Sequence, residues 1–332
     1  MPLFDLPLEQ LEKYRSSVVE PVDFDEFWDQ TLAEAQSFDL AATFEPVNNR
    51  LAVIETFDVT FAGFGGAPIK GWLHLPAHRE PGKKLPAVVE YLGYSGGRSL
   101  PNQGNRWAQA GYAHFVMDTR GQGFGGSFGE TPDPHPSAGG VAYAGLMTRG
   151  INSREDYYYR RLFVDGFRAV QAVQRHPAVD PHRIVLNGIS QGGGISLAVA
   201  GLVAGRLDGV IGVLPDVPFL QDFPRAIDTA AKGPYPDIFA FLSRHREKYE
   251  GILKVLNYFD GVHFAARAQT PVLYSVALAD DVCPPSTVFA SYNAYGEKSG
   301  DVRKAIEVYR FNNHEGGQEH HWVKQLDFLQ SL

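Results

Sequence analysis

The chain lacks the features that mark secreted and membrane proteins. It contains a single cysteine, Cys283, so no disulfide can form within the chain. It has no run of about 18 apolar residues, the length that a membrane-spanning helix requires. Its opening residues, MPLFDLPLEQLEKYR, carry an acid early and lack the basic start and the apolar run of a secretory signal. We therefore expect a cytoplasmic protein with no membrane partner.

Positive charge is also scarce. The 30 lysines and arginines are outnumbered by 38 aspartates and glutamates, which gives a formal net charge of -8. A nucleic-acid binder gains much of its affinity when lysines and arginines release counterions from phosphates, so we expect no nucleic-acid partner. Apolar residues, by contrast, make up 44% of the chain, which is sufficient for one large core. Residues 1–332 are therefore predicted to form a single domain.

The order of the predicted elements favours an α/β fold. Residues 1–40 are predicted to be a helical extension, because Phe24, Phe27 and Trp28 recur at helical spacing among acids. From residue 51 onward, short β-rich runs such as PAVVEYLG and YAHFVMD are separated by Gly, Pro and Asp. Later strands alternate with helices, which predicts a mostly parallel sheet with helices on both faces and an antiparallel edge formed by the opening strands. Residues 220–268 are predicted to be helices inserted between two strands.

The sharpest local motif is GISQG at residues 188–192, which follows the strand RIVLN and leads directly into a helix. In G-x-S-x-G, glycine is needed on both sides because so tight a strand-to-helix turn leaves no room for Cβ atoms. The serine is forced to the tip of the turn, beside a helix N-terminus that favours negative charge. The motif is typical of the α/β-hydrolase fold, and it makes Ser190 the predicted nucleophile.

The same fold places an acid and then a histidine in loops after later strands. The strand PVLYSVA leads to Asp280 and Asp281, and the strand AIEVYRF leads to NNHEGG, which contains His314. A neutral imidazole can take the serine proton near pH 7, and a carboxylate on its other nitrogen fixes the tautomer. Adjacent carboxylates on an extended segment point to opposite sides, so one of the two should reach His314. We predict Asp280 and keep Asp281 as the alternative.

Five short motifs are spread over most of the chain: YLGYSGG at residues 91–97, DTRGQG at 118–123, GISQGGG at 188–194, DDVCPPST at 280–287 and NNHEGG at 312–317. In content and order, this set resembles the acetyl xylan esterase and cephalosporin C deacetylase family, which is carbohydrate esterase family 7. Five motifs in order are far more specific than a G-x-S-x-G motif alone.

The resemblance implies a catalytic triad of Ser190, Asp280 and His314, in agreement with the topological prediction. It places the oxyanion hole at the backbone N–H groups of Tyr94 and Gln191. It also implies a serine carboxylesterase that uses no cofactor and no metal. The expected substrates are small acetylated carbohydrates and alcohols, including acetylated xylo-oligosaccharides and cephalosporin C, and the expected assembly is a homohexamer. Residues 120–122 and Glu315 resemble structural supports of the site.

Two patterns that suggest a cofactor or a metal are not supported by their context. Residues 121–126 match G-x-G-x-x-G, but they run into SFGETPDPHP and not into the helix that a dinucleotide pyrophosphate requires. The string HEGGQEHH is not H-E-x-x-H, and His320 and His321 begin a predicted helix on which neighbours face apart. We therefore predict that neither a dinucleotide nor a metal is bound there.

Two other functions remain as alternatives. A prolyl-oligopeptidase-like serine peptidase shares the G-x-S-x-G-G pattern, but this chain has no additional propeller domain to select peptides. A non-enzymatic binding protein on a hydrolase scaffold typically loses a triad residue, whereas here all three positions carry competent side chains. Cys283 has no base near it in the sequence, so we predict that it packs as a small apolar residue.

Overall fold

A computed structural model describes residues 4–139 and 145–332 of the chain. The first three residues of the predicted N-terminal extension lie outside this part. Within the described residues, nine strands form one sheet. The strands are β1 (Thr43–Val47), β2 (Ile54–Ala62), β3 (Pro68–Pro76), β4 (Leu85–Tyr91), β5 (Ala113–Met117), β6 (Val179–Ile189), β7 (Val210–Asp216), β8 (Val272–Ala277) and β9 (Lys304–Tyr309).

The same residues form eleven α-helices. They are α1 (Leu8–Leu11), α2 (Phe24–Gln36), α3 (Arg106–Gln109), α4 (Tyr158–Val173), α5 (Gln191–Val203), α6 (Phe223–Thr229), α7 (Tyr235–Arg244), α8 (Tyr249–Leu256), α9 (Gly261–Arg267), α10 (Pro285–Ala294) and α11 (Gln318–Gln330). Short 3-10 helices occur at Phe64–Gly66, Pro136–Gly139 and Arg246–Lys248.

The strand order confirms the predicted α/β-hydrolase sheet. Across the sheet the order is β1-β2-β3-β5-β4-β6-β7-β8-β9. The pairs β1–β2, β2–β3 and β3–β5 are antiparallel, and every pair from β5 to β9 is parallel. The carboxyl ends of β4, β6, β7, β8 and β9 therefore meet at one edge, where α/β folds place their ligands.

The edge strand β1 was not expected from the sequence, which predicted strands only from residue 51. None of its five side chains is fully buried: Phe44 and Val47 are half-buried, and the other three are exposed. It contains Pro46, which a strand tolerates at the edge of a sheet because no further strand needs its N–H. Such a strand has only a weak β pattern in its sequence, although its backbone pairs with β2 along all five residues.

The parallel part of the sheet is covered on both faces, as predicted. Val89 belongs to the main apolar cluster, together with residues of α4 and α5. Its neighbour Val88 belongs to a second cluster with Trp107 of α3 and Phe328 of α11. Successive residues of a strand point to opposite faces, so two clusters that share one strand must lie on the two sides of the sheet.

Helix α5 is buried along its whole length. It carries apolar and small residues on every side, which is the composition of a helix surrounded by other elements. At 13 residues it is also short, and none of the helices in the described ranges has both the length and the apolar composition needed to cross a lipid bilayer.

The inserted segment forms helices α6 to α9 between β7 and β8. Helix α9 packs against α5 and against α2 of the N-terminal segment. The ring centroid of Phe264 in α9 lies 5.2 Å from that of Phe24 and 5.3 Å from that of Trp28. The Trp28 indole N–H also donates to the Tyr258 carbonyl at 3.0 Å. The N-terminal segment and the insertion therefore share one aromatic core.

The contact between α5 and α9 predicts opposite effects for two glycine-to-alanine changes. A Cβ at Gly201 in α5 would lie 2.6 Å from the Phe264 carbonyl oxygen, whereas a Cβ at Gly251 in α8 meets no described atom within 4 Å. Alanine is the better helix former by up to about 1 kcal/mol. We expect Gly251→Ala to raise the free energy of unfolding by a few tenths of a kcal/mol to about 1 kcal/mol, and Gly201→Ala to lower it by at least about 1 kcal/mol. Denaturant unfolding of the two variants tests this, and equal shifts would contradict the close helix contact.

Candidate active site

Ser190 stands at the turn between β6 and α5 in a strained conformation. Its backbone angles are φ 57° and ψ -119°, a region that residues with a Cβ rarely adopt. Hydrogen bonds hold the turn on both sides. The Ser190 N–H donates to the Asp216 carbonyl at 2.9 Å, and the Ser190 carbonyl accepts from the N–H of Phe219 at 2.9 Å and of Gly194 at 3.0 Å. These bonds leave the side chain at the carboxyl edge of the sheet.

The two flanking glycines are required by close backbone contacts. A Cβ at Gly188 would lie 2.3 Å from the Gly192 carbonyl carbon, and a Cβ at Gly192 would lie 2.0 Å from the Tyr91 carbonyl oxygen. Both separations are far below a van der Waals contact, and backbone atoms cannot rotate away. This is the steric reason for G-x-S-x-G that the sequence suggested.

The side chains of Asp280, His314 and Ser190 form one hydrogen-bonded chain. His314 Nε2 lies 2.9 Å from Ser190 Oγ, and His314 Nδ1 lies 2.9 Å from Asp280 Oδ2. A carboxylate accepts hydrogen bonds only, so Nδ1 carries the proton and Nε2 is free to accept the serine proton. The arrangement has the geometry of a nucleophile, its general base and the acid that orients the base.

The carboxylate that contacts the histidine is that of Asp280. Its second oxygen, Oδ1, accepts from the backbone N–H groups of Val282 and Cys283, both at 2.9 Å, and the side chain is 1% exposed. Three hydrogen bonds therefore stabilise the buried charge. The Asp281 carboxylate instead pairs with Lys232 Nζ at 2.8 Å, away from His314. As expected for adjacent residues, the two side chains point in different directions.

The Gln122 side chain connects the two segments that carry the predicted oxyanion donors, Tyr94 and Gln191. Gln191 is the first residue of α5, so its backbone N–H has no partner within the helix. Tyr94 lies in the loop after β4. Gln122 Oε1 accepts from the Ser95 N–H at 2.6 Å, and Gln122 Nε2 donates to Gln191 Oε1 at 2.9 Å. Gln191 Nε2 also donates to the Leu92 carbonyl at 3.2 Å. Hydrogen bonds of side-chain amides thus hold the loop after β4 next to the start of α5.

A buried ion pair anchors the segment that carries Gln122. Arg120 donates to both oxygens of Asp165, at 2.5 Å and 2.7 Å, and both side chains are excluded from solvent. The Tyr158 hydroxyl donates to the Arg120 carbonyl at 2.6 Å. Arg120 also contacts the buried Asp133 at 3.3 Å, and removing a partner from such a buried cluster costs up to about 3–5 kcal/mol. The predicted supporting role of residues 120–122 therefore has two parts, an anchor at Arg120 and a bridge at Gln122.

The loop that carries His314 has its own supports. Glu315 Oε1 accepts from the Asn313 N–H at 3.1 Å and from Asn312 Nδ2 at 3.2 Å, so it closes the turn locally. The Asn313 side chain accepts from the His314 N–H at 2.7 Å. Glu315 contacts neither Ser190 nor Asp280, which fits a support and not a reacting group.

Asp216 is a residue near the site that the sequence analysis did not identify. It accepts from the hydroxyl of Ser275 in β8, and the same hydroxyl accepts from the Val217 N–H at 3.1 Å. A Cβ at Gly316, two residues after His314, would lie 3.3 Å from Asp216 Oδ1. Asp216 therefore lies between the serine turn and the histidine loop. The sequence feature that could have identified Asp216 is its position at the carboxyl end of the strand VIGVLPD.

The Tyr94 side chain contacts a neighbouring segment of the chain. Its hydroxyl accepts from the Leu146 N–H at 2.7 Å. Burial raises the pKa of Tyr94 to about 12, and the nearby Asp237 carboxylate adds to the increase. The phenol therefore stays protonated at neutral pH and cannot act as a base.

Cys283 lies next to the triad, although no base is near it in the sequence. The residue is fully buried, in agreement with the prediction that it packs as a small side chain. Burial raises the pKa of its thiol well above the usual value, the Asp280 charge raises it further, and a hydrogen bond with Ser190 opposes the increase. Among the described residues, one donor atom from each of Asp280, Cys283 and His314 lies within 4.8 Å of the other two. The histidine is brought there by the pairing of β8 with β9, which the sequence reasoning about Cys283 did not consider.

The similarity to known proteins extends over the full chain. An acetyl xylan esterase from Paenibacillus sp. R4 is 35% identical, with a TM-score of 0.89 over 98% of this chain and 99% of that one. Acetyl xylan esterase 1 from Thermoanaerobacterium sp. JW/SL YS485 is 32% identical, with a TM-score of 0.87 over the same shares. Acetyl esterase Axe7A of Xylanibacter ruminicola is 26% identical over 287 residues, which are 82% of this chain and 60% of that protein.

The family model for acetyl xylan esterase (AXE1) matches residues 1–332. With the sheet, the serine turn and the five motifs described above, the match shows that the chain belongs to the acetyl xylan esterase family.

Proposed function

We propose that this protein is a serine carboxylesterase that removes acetyl groups from small acetylated carbohydrates and alcohols through an acetyl-serine intermediate. The observation that carries the proposal is the hydrogen-bonded chain from Asp280 through His314 to Ser190, at the tip of a strained turn. Membership of the acetyl xylan esterase family supports acetate as the acyl group.

Acylation follows from the protonation states that the geometry favours. His314 Nε2 takes the Ser190 proton while Oγ attacks the acetyl carbonyl carbon. The carbonyl oxygen becomes negative and accepts hydrogen bonds from the N–H groups of Tyr94 and Gln191. His314, now an imidazolium stabilised by Asp280, donates its Nε2 proton to the oxygen of the leaving alcohol. The C–O bond to the alcohol breaks, and an acetyl ester of Ser190 remains.

Deacylation repeats these steps with water as the nucleophile in place of the Ser190 hydroxyl. His314 takes a proton from water, the hydroxide oxygen attacks the acetyl carbon, and the same two N–H groups stabilise the second oxyanion. His314 then returns the proton to Ser190 Oγ, and acetate leaves. Every proton transfer uses groups of this chain, so the mechanism assigns no step to a metal or a cofactor.

The alcohol side of the substrate and the assembly are further parts of the proposal. The two solved relatives of similar length carry the name acetyl xylan esterase, which supports acetylated xylo-oligosaccharides as substrates. Deacetylation of cephalosporin C and assembly as a homohexamer rest on the motif resemblance alone. A cytoplasmic location fits substrates small enough to be imported.

Replacing the nucleophile tests the mechanism directly. We expect Ser190→Ala to lower kcat for 4-nitrophenyl acetate by about six orders of magnitude, because no other described group replaces the attacking oxygen. A fluorophosphonate probe should label the wild type at Ser190 and leave the variant unlabelled. Thermal unfolding of the variant checks that the fold is retained. Turnover close to that of the wild type in a folded Ser190→Ala protein would refute the proposal.

The adjacent aspartates provide a matched pair of variants. Asp280→Asn removes the charge beside His314 and favours the wrong tautomer, so we expect kcat to fall by about four orders of magnitude. Asp281→Asn removes a largely buried carboxylate that pairs with the exposed Lys232 and does not contact His314. We expect the second variant to keep kcat within a few-fold of the wild type. The reverse ranking, measured with one substrate at one pH, would assign the orienting role to Asp281.

A series of acyl chain lengths tests the choice of acyl group. We expect 4-nitrophenyl acetate to be cleaved with a kcat/KM more than about tenfold above that of the octanoate, with the butyrate between them, if the pocket is sized for acetyl. Activity should persist in the presence of a chelator. Release of acetate from acetylated xylo-oligosaccharides and from cephalosporin C, measured side by side, ranks the alcohols. Preference for octanoate, or loss of activity with chelator, would contradict this part of the proposal.

A further inference from the structure

The side chains of Asp280, Cys283 and His314 bring together three donor types that zinc binds. A carboxylate oxygen, a sulfur and an imidazole nitrogen, one from each residue, lie within 4.8 Å of one another. In a tetrahedral zinc site with bonds of 2.0–2.3 Å, neighbouring ligand atoms are about 3.3–3.8 Å apart. The three donors are therefore near enough for side-chain rotations to bring them around one ion, with the 2.9 Å contact between Asp280 Oδ2 and His314 Nδ1 opening as they do so.

The backbone turn at residues 280–283 holds two of the donors in place. The Cys283 N–H donates to Asp280 Oδ1 at 2.9 Å, which brings the thiol to the same side of the turn as the carboxylate. The third donor comes from the neighbouring strand, where Asp280 Oδ2 already contacts His314. The cluster is thus part of the folded structure and does not depend on mobile surface side chains.

An ion can reach the cluster from the substrate side. Asp280 and Cys283 are shielded from solvent, but the His314 side chain is 29% exposed and Ser190 is half-buried. Access therefore lies past Ser190 and His314. The Ser190 hydroxyl, which contacts His314 Nε2, or a water molecule supplies a fourth oxygen ligand.

We propose that Asp280, Cys283 and His314 form an inhibitory binding site for a thiophilic divalent cation such as Zn²⁺. On binding, the Cys283 thiol releases its proton to solvent and its sulfur binds the ion, together with an oxygen of Asp280 and one nitrogen of His314. That nitrogen is either Nε2, through its free lone pair, or Nδ1, after its proton has moved through solvent to Nε2. No group is oxidised or reduced, and a chelator reverses the reaction. In either case the Nε2 lone pair that would take the Ser190 proton is no longer available, because it is bound to the ion or carries a proton. The inhibitory effect rests on the proposed esterase mechanism, whereas binding of the ion does not.

The donor set predicts which cations bind. Thiolate and imidazole ligands favour Zn²⁺ and Cd²⁺, while Mg²⁺ and Ca²⁺ prefer sites made of oxygen atoms alone. A site with one carboxylate, one sulfur and one nitrogen therefore binds Mg²⁺ and Ca²⁺ poorly. Mg²⁺ at the same concentration is therefore a matched control for ionic strength and charge.

Cadmium absorption tests binding without any substrate. Bonding of a thiolate to Cd²⁺ creates a charge-transfer band in the ultraviolet, and Cys283 is the sole cysteine of the chain, so a band reports this residue. We expect a band that saturates at one ion per chain in the wild type and is absent in Cys283→Ala and Cys283→Ser, the second of which preserves side-chain size. In His314→Ala, the midpoint should move to at least about tenfold higher Cd²⁺, because one of three ligands is missing. Absence of a band in the wild type, or an unchanged midpoint in His314→Ala, would overturn the site.

Inhibition provides the second test. We expect Zn²⁺ to inhibit hydrolysis of 4-nitrophenyl acetate by the wild type, with recovery on addition of chelator. The half-inhibitory concentration should be about a hundredfold higher for Cys283→Ala and Cys283→Ser, each measured relative to its own rate without metal. Mg²⁺ should have no effect on any of the three. Equal sensitivity of wild type and variants to Zn²⁺ would place the inhibitory ion elsewhere and overturn the proposal.

The two tests separate this inference from the proposed function. A wild-type protein that shows the cadmium band but hydrolyses no acetyl ester would refute the esterase and leave the metal site standing. A protein that hydrolyses acetyl esters but shows neither the band nor Cys283-dependent inhibition would refute the metal site and leave the esterase standing.

Discussion

The active-site geometry depends on one close backbone contact, between Gly192 at the start of α5 and the carbonyl of Tyr91 at the end of β4. A Cβ at position 192 would stand 2.0 Å from that carbonyl oxygen, so the two segments are as near as glycine permits. The contact fixes where α5 begins and therefore where the N–H of Gln191 points. It also fixes where the chain leaves β4, three residues before Tyr94. One steric constraint thus holds the two segments that carry the predicted oxyanion donors close together.

Strand β7 contributes no member of the triad, yet it lies between the segments that carry the three triad residues. The Asp216 carbonyl accepts from the Ser190 N–H, and the Asp216 carboxylate is bonded to Ser275 of β8 and lies next to the turn after His314. Main chain and side chain of one residue therefore link the serine turn to the acid and histidine loops. Because β7 lies between β6 and β8 in a parallel sheet, its carboxyl end is the natural place for this link.

The sequence predicted those parts of the structure that follow from local pattern and strand order. The periodicity of apolar residues predicted the sheet and its helices, and the spacing of the glycines in G-x-S-x-G predicted Ser190 as the nucleophile. Strand order placed His314 and a pair of aspartates at the correct edge. From the residues alone it selected Asp280 but kept Asp281 as the alternative, because a shift of one residue decides which carboxylate faces the histidine. The motif resemblance favoured Asp280, and the geometry shows that carboxylate bonded to His314.

Features that depend on side chains far apart in the chain could not be predicted. The bridge from Ser95 through Gln122 to Gln191 joins three separate segments by amide hydrogen bonds, and glutamine has no pattern that indicates such a role. Strand β1 was missed because only two of its five side chains are half-buried and none is fully buried. The burial of Cys283 was predicted, but its closeness to His314 was not, because only neighbours in the sequence were considered and His314 lies on the adjacent loop.

Burial of Cys283 links the esterase mechanism to the proposed sensitivity to metal ions. A thiolate at this point would place a second negative charge beside Asp280 and would compete with Ser190 for His314 as a nucleophile. Burial and the Asp280 charge raise the pKa of the thiol, so the group stays neutral and behaves as a small apolar side chain. A cation can bind only if its bond to sulfur outweighs the free energy of removing that proton. Hard cations form weak bonds to sulfur and fail this condition, while thiophilic ions meet it. The burial that keeps the thiol from interfering with acetyl transfer therefore also sets which ions can interrupt it.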